Sequence, residues 1–599
     1  MSEDVAWLRY LQFQKAYFSN GHSSITTPEF FLSDIGRRDP HAEMIRSLQA
    51  FRSRESKTID GEDAPLRCWF PARAELLERL TGEQFPEENC PQIKRWQDAF
   101  GQEKISIIFA SFFANNPASL FGHTFLRFSE TAQEDRSDKL RTYSAGFLAT
   151  TDSHDNQAVT MVKGLFGFYD GYFNVKPQYM NSALYTNSES RDLWEYPLRL
   201  TPAEVHWGSL YLWELSHFGG MPYYFADWNC SYRLLTFIEA IRPSLRLSTA
   251  ANLFVLPLDT VRTLDAAQLV DWAGVTYESS LRRRLNAKLA NLSSEKHSQF
   301  RRAKTDRTVL EKIDDAATLD ALIDYWTGKN YDQETKLSPS DQALFDLTLK
   351  KRAALFSSPQ EEADPPKPEI DPAHGHKTSW TEAQAGLQSI SVNARMGAHD
   401  LRSSSAGYDD FAAIEYIGID ADFNTTQGLL QSADFLFGDV AALNPWSLDH
   451  PLISWKANGL LRFDREHTDS VNSDSNTLNA DWRSWLDIGG GVGLSFNFFR
   501  KKALLYVLPE VRLFGSIHDT GSDIGIGFDS GFRWEEHWGS FLATETVGYF
   551  RTGRSEETTI RLSKFLGVNH TIYADLHHRR WPWSSVADDE AMLGFRFYY

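Results

Sequence analysis

The stretch Asp523–Glu535, DIGIGFDSGFRWE, repeats with a period of two. Ile524, Ile526, Phe528, Phe532 and Trp534 fall on one side of an extended chain, while Gly525, Gly527, Asp529, Gly531, Arg533 and Glu535 fall on the other. In GVGLSFNF, Val492, Leu494, Phe496 and Phe498 likewise oppose Gly491, Gly493, Ser495 and Asn497. Farther back, Ile453, Trp455, Ala457, Leu461 and Phe463 oppose Ser454, Lys456, Asn458, Arg462 and Asp464. Charges on the second face are hard to bury in a soluble sandwich core, but they suit the polar interior of a transmembrane barrel.

Working outward, about ten to twelve such segments fit between Thr378 and Tyr599, which predicts an even-numbered barrel of about 10–12 strands. The chain ends in LGFRFYY, with Leu593, Phe595, Phe597 and Tyr599 alternating to an aromatic terminus. This resembles the terminal strand signal by which bacterial outer-membrane proteins are recognised, so barrel-assembly machinery is an expected partner for insertion. One segment, Phe411–Asp422, FAAIEYIGIDAD, alternates poorly and keeps a soluble sandwich or barrel as the alternative.

The remaining composition narrows the class. A net charge of -19 excludes general nucleic-acid binding, since phosphate attracts a basic face and none dominates here. No run of about 18 apolar residues occurs, so a spanning helix is not expected. The opening MSEDVAWLRYL lacks a basic and an apolar leader region, so either a signal peptide has been removed or the protein stays in the cytoplasm. Of the 3 cysteines, Cys68 and Cys90 are close enough in sequence to close a loop. A disulfide there is expected over two free thiols, is worth about 3 kcal/mol, and implies an oxidising compartment. Cys230 is then the odd one out.

Residues 1–100 read as a helical region, with VAWLRYLQFQKAYF and ARAELLERL spaced by threes and fours. From 101 to 260, strand-like ISIIFASFF, HTFLRFSE and LRTYSAGFLA precede helical PAEVHWGSLYLWELSHF and YRLLTFIEAI, an α+β order. Residues 261–356 read as amphipathic helices, 357–377 as a linker rich in Pro and acidic residues, and 378–599 as the barrel.

Cys230 is expected at or just inside a helix N-terminus, where unpaired N–H groups and the macrodipole favour a thiolate. A thiolate catalyst also needs an imidazole in hydrogen-bond reach, and His123, at the start of a strand, is the candidate. Taken alone, each residue reads as easily as a buried structural thiol or a core histidine.

Four motifs occur together in order: NPASLFGHTFLRF (Asn116–Phe128), VKGLFGFYDGYF (Val162–Phe173), ESRDLWEY (Glu189–Tyr196) and NCSYRLL (Asn229–Leu235). In this they resemble the bacterial family of the Lnb N-terminal periplasmic domain, named for a lipoprotein N-acyltransferase. The resemblance covers roughly Val5–Ala290, and relatives also continue into a β-rich C-terminal region. It implies a permuted papain-like fold of the NlpC/P60 type, with Cys230 as nucleophile and His123 as general base. Asn229 or Ser119 would orient groups or donate to an oxyanion.

Glu189 and Arg191 either bind a substrate headgroup or form an internal ion pair, the latter being the simpler expectation. Phe166, Phe168, Tyr169, Tyr172 and Phe173 offer an apolar wall, or the glycines among them merely shape a turn. His374, His376, His577 and His578 lack companions at ligand spacing, so no metal is expected, nor any cofactor.

The resulting expectation is an outer-membrane protein with a periplasmic N-terminal domain. It would act as a cysteine acyltransferase on membrane lipid or lipoprotein acyl esters through a Cys230 thioester. A cell-wall peptidase or amidase using the same dyad, and a non-enzymatic pore or assembly platform, are the alternatives.

Overall fold

The computed structural model describes residues 1–599 apart from 14–20, 60, 101–102, 112–121, 131–141, 153, 156–158, 161–162, 165–166, 226–227, 249–254, 332–336, 356–364, 427, 450, 466–481, 500–501, 517–521 and 581–586. The chain divides into two units, Met1–Lys367 and Pro368–Tyr599.

After a short opening helix (Val5–Tyr10) the first unit has helix α1 (Pro40–Arg52), the hairpin β1 (Ser56–Ile59) and β2 (Glu62–Pro65), and helix α2 (Pro71–Thr81). Cys68 and Cys90 form the expected disulfide, which ties the segment before α2 to the chain that follows it. Arg73, fully buried, binds Glu43 of α1 at 2.5 Å and the Tyr10 hydroxyl at 2.7 Å, and its backbone N–H donates to Glu214 at 2.9 Å. Its guanidinium also lies 4.3 Å from the centre of the Phe70 ring. This charged knot joins helices distant in sequence, and each buried charge has a partner.

A seven-stranded sheet follows, in the order β8-β6-β5-β4-β3-β7-β9. Its strands are β3 (Lys104–Ala110), β4 (His123–Ser129), β5 (Tyr143–Ala149), β6 (Tyr169–Pro177), β7 (Leu193–Pro197), β8 (Met221–Tyr223) and β9 (Thr276–Glu278), all paired antiparallel. β3 and β4 are buried almost throughout because both their faces are covered. Helix α3 (Pro202–Phe218) starts with a capping box between Thr201 and Glu204. Helix α4 (Cys230–Ile241) has every side chain buried and sends Phe237 against Phe173 of β6. Helices α5 (Leu281–Asn291), α6 (Ala316–Tyr331) and α7 (Pro339–Ala354) share a separate core around Leu285, Leu289, Phe300, Leu319, Leu322 and Trp326.

The second unit is a closed barrel of twelve strands, β10 to β21, each paired antiparallel with its neighbours in sequence. They are β10 (Trp380–Ala385), β11 (Ser389–His399), β12 (Ala412–Asn424), β13 (Leu429–Ala442), β14 (Ser454–Arg465), β15 (Trp482–Phe498), β16 (Ala503–Ser516), β17 (Ser522–Glu536), β18 (Gly539–Tyr549), β19 (Arg554–Phe565), β20 (His570–Arg580) and β21 (Asp588–Tyr598). The barrel closes between the first strand and the last, with Trp380 opposite Tyr598 and Ala385 opposite Leu593.

The two faces are those of the sequence pattern. Ile524, Ile526 and Val492 are 67%, 68% and 58% exposed on the outside, whereas Asp529, Arg533, Arg462 and Ser495 are buried within. The interior charges pair across strands: Arg596 with Glu382 and Asp400, Arg561 with Asp575, Lys456 with Asp529, and Arg512 with Asp487. They surround a cavity of about 260 Å³.

The segment Asp400–Phe411, between β11 and β12, folds into the barrel. Asp400 pairs with Arg596 at 2.9 Å, Arg533 donates to the Ser403 carbonyl at 2.8 Å, and the Ser405 N–H donates to Glu535 at 2.9 Å. Leu401 and Phe411 pack on the inward Leu443, Leu504, Tyr506 and Leu508, making an apolar plug among otherwise charged walls.

The poorly alternating segment is β12. Glu415 lines the cavity before Ile417, and Asp420 and Asp422 line it afterwards, so the inward parity switches at Ile417. Ile417 has a φ of 43°, and Gly397 on β11 a φ of 63°. The pairing of β11 with β12 shifts beside them, as does that of β13 with β14 between Leu436 and Gly438. A bulge crossing these strands therefore breaks the period of two without breaking the barrel.

Candidate active site

Helix α4 begins at Cys230 because Asn229 caps it: the Asn229 side-chain oxygen accepts from the N–H groups of Ser231 and Tyr232, at 3.0 and 3.3 Å. The Asn229 amide nitrogen donates to the carbonyls of Phe225, at 3.2 Å, and Val255, at 2.7 Å. Both ends of this side chain are thus committed to holding the helix start. Cys230 is 4% exposed.

His123, the first residue of β4, is brought to that sulfur. Thr124 Oγ1 lies 3.4 Å from Ser231 Oγ, which fixes the strand start against the helix start. The imidazole of His123 and the thiol of Cys230 are then in hydrogen-bond contact, and the Thr124 N–H donates to the sulfur. Burial pushes the Cys230 thiol up, but the charge and hydrogen bond of His123, with Thr124 and Ser231, outweigh it and hold the thiol down at about 7.

Gly146 on β5 leaves room for the histidine: a Cβ placed there would sit 3.5 Å from His123 Nε2. The other side of the ring meets Tyr185, with centroids 5.8 Å apart, and Tyr185 stacks in turn on Phe125. Tyr185 belongs to a π-helical turn, Ala183–Ser188, and Ser190 just beyond it has a φ of 52°. Irregular turns of this kind gather at functional sites.

Arg191, fully buried, follows at once and pairs with Glu189 at 2.7 Å. Its guanidinium lies 5.5 Å from the Tyr185 ring. Burial lowers the Arg191 pKa, with Glu189 and Tyr185 opposing the change. Asp192 of the same motif binds Arg283 and accepts from the Ser280 N–H, at 2.9 and 2.8 Å. The Glu189/Arg191 pair therefore stands behind Tyr185, one ring removed from His123.

The glycine-rich motif enters β6 with its last five residues, Tyr169–Phe173. Tyr169 is buried with its hydroxyl donated to Asp155 at 2.7 Å, Tyr172 is half-buried, and Phe168 is 74% exposed. A side chain at Gly164 or Gly167 would collide with Phe225 or Tyr224, so these glycines let the motif press on the segment just before Cys230. Ser119 and Phe166 lie outside the described residues.

Two tyrosines escaped the sequence reading, Tyr185 and Tyr223. The hydroxyl of Tyr223 reaches both the sulfur and the backbone N–H of Cys230. Among the described residues no group of three or more His, Cys, Asp or Glu side chains is placed to hold a metal ion.

A helix-borne cysteine in contact with a strand-borne histidine, in a chain that also builds a closed barrel with an apolar exterior, defines the class: a barrel protein with a Cys/His pair in its N-terminal unit. Residues 92–267, which hold both His123 and Cys230, match the family model described as the Lnb N-terminal periplasmic domain. Residues 369–598 match a domain of unknown function, DUF7840, and residues 1–80 another, DUF7843. The motif resemblance thus holds for the segment carrying the dyad, and the protein is an outer-membrane barrel with a periplasmic N-terminal domain.

Among curated proteins none matches. Of solved structures, the KdgM porin is 9% identical with a TM-score of 0.21, over 37% of this chain and 98% of its own. The NanC porin is 8% identical with a TM-score of 0.22, over 37% and 98%. The β domain of the Bordetella autotransporter BrkA is 11% identical with a TM-score of 0.22, over 38% and 100%. Nothing about activity follows from likenesses so distant.

Proposed function

We propose that the protein is an outer-membrane-anchored cysteine acyltransferase, with Cys230 as nucleophile and His123 as general base. The observation that carries this reading is the hydrogen-bond contact between His123 and Cys230, with the thiol held down at about 7. His123 takes the thiol proton, and the thiolate attacks the ester carbonyl of a phospholipid or lipoprotein. The alkoxide leaves with the proton from His123, and Cys230 keeps the acyl group as a thioester. An amine then attacks the thioester, loses its proton to His123, and departs as an amide while the thiol is restored. The fold reading that accompanies this is a permuted papain-like domain, supported by a histidine strand that precedes the cysteine helix.

The barrel supports the choice of substrate, because acyl chains leave a bilayer at a cost of about 0.8 kcal/mol per buried methylene and an enzyme held there meets them in place. Tyr169 and Tyr172 of β6 would offer the chain an apolar wall, while Glu189 and Arg191, paired with each other, hold the domain together behind Tyr185. Incubating the detergent-solubilised protein with phospholipid and a synthetic lipopeptide bearing a free amine tests the reading. It predicts an N-acylated peptide. Cleavage of cell-wall peptide with no acylation would point instead to an amidase.

A further inference from the structure

We infer that Tyr223 is a catalytic residue of this site: its hydroxyl and the backbone N–H of Cys230 together hold the acyl carbonyl oxygen while the thiolate attacks. The inference rests on the acyl-transfer reading and adds a residue that none of the four motifs contains.

Strand β8 brings Tyr223 to the sheet edge, where it pairs with Tyr169 of β6. Its ring stacks on Phe147, centroids 5.7 Å apart and planes 10° apart, and meets Phe225 edge-on at 5.7 Å. Clamped on two sides, the ring presents its hydroxyl to the sulfur and the N–H of Cys230 at once. That N–H opens helix α4 and has no carbonyl four residues back to bind.

An oxyanion is held well by two donors aimed at where charge develops. Asn229, the nearest alternative, has its amide nitrogen on the carbonyls of Phe225 and Val255. Among the described residues, Tyr223 is the side chain that meets this N–H. Burial, with the Cys230 sulfur beside it, raises the Tyr223 pKa well above the ordinary tyrosine value, so the hydroxyl keeps its proton to donate.

In the resting enzyme the hydroxyl donates to the thiolate. As the S–C bond forms, the carbonyl π pair moves onto oxygen and the negative charge leaves sulfur. The hydroxyl then donates to that oxygen, as does the Cys230 N–H. When the carbonyl re-forms, the alkoxide is expelled and takes its proton from His123. The donors are therefore matched to the charge of the transition state rather than to that of the bound ester.

The test compares the full chain in detergent with its Tyr223→Phe variant, using two probes of Cys230. A 4-nitrophenyl alkanoate acylates the thiol through an oxyanion, whereas iodoacetamide alkylates it by displacement without one. Tyr223→Phe is expected to slow acylation about 100-fold while alkylation at pH 8.5 changes less than threefold. Equal acylation by variant and wild type would overturn the role of Tyr223 alone. Equal loss in both reactions would overturn it too, by making Tyr223 a support for the thiolate. If the wild type alkylates at Cys230 but is never acylated there, the acyl-transfer reading falls and the inference with it.

Discussion

Thr124 Oγ1 and Ser231 Oγ stand 3.4 Å apart, each one residue past a member of the dyad. This buried contact couples the start of β4 to the start of α4, and it is through these two neighbours that His123 and Cys230 meet.

The first prediction is the pH dependence of that meeting. With the thiol held at about 7, iodoacetamide alkylation of Cys230 rises with pH through a midpoint near 7 and flattens above it, because the thiolate is the reacting form. In His123→Ala the opposing charge is gone and burial dominates. The midpoint should move upward by more than one pH unit. An unchanged midpoint would mean that His123 does not act on the sulfur.

Gly146 makes the same contact testable from the far side of the ring. A leucine there must displace the His123 imidazole, since even its Cβ would reach van der Waals distance of Nε2. Gly146→Leu is expected to lower the rate of Cys230 alkylation at pH 7 by tenfold or more, and Gly146→Ala to have a small effect. Circular dichroism should match the wild type for both.

Labelling of native, unreduced protein with a maleimide is expected to modify Cys230 alone, because Cys68 and Cys90 are joined. Replacing both with alanine releases a loop spanning 22 positions of the chain and should cost about 3 kcal/mol on the chain-entropy model. The check is a urea titration of the full chain followed by tryptophan fluorescence.

Arg73→Met would leave Glu43 buried without its cation, while the backbone N–H of residue 73 still reaches Glu214. Breaking a buried pair from one side costs about 3–5 kcal/mol, so the N-terminal unit should unfold at lower urea. The barrel, whose contacts do not include this knot, should keep its heat-modifiable mobility on gels. Loss of both together would contradict the division into two units.

The barrel was legible where the period of two is unbroken. β14, β15 and β17 show their faces directly, with Lys456, Ser495 and Asp529 inward and Ile453, Val492 and Ile526 outward. β12 was not legible, because the switch at Ile417 depends on one left-handed residue and a shifted register that no alternation reveals. The site was legible to the extent that its chemistry is rare: one unpaired cysteine and a histidine in an ordered motif stand out. Tyr223 and Tyr185 did not, being two of 22 tyrosines whose importance lies wholly in what they are folded against. Arg73 was hidden for a similar reason, since an arginine in ARAELLERL reads as a solvent-facing helix residue.

The plug inside the barrel leads to a prediction about permeation. Asp400–Phe411 folds into the interior and is held there by the Asp400–Arg596 pair and the Leu401 and Phe411 packing. The wild-type protein in a planar bilayer should therefore give no sustained conductance, whereas Arg596→Ala should show intermittent openings. A steady open current from the wild type would favour the pore alternative.

The central claim is that Cys230 carries an acyl group, and intact-protein mass spectrometry tests it most directly. After incubation of the purified full chain with phospholipid vesicles, the account predicts a mass increase of one fatty acyl group, removable by neutral hydroxylamine and mapped to Cys230. Cys230→Ser should show no hydroxylamine-labile adduct. Wild-type protein that remains unmodified with donor lipid in excess, or an adduct that persists in Cys230→Ser, would contradict it.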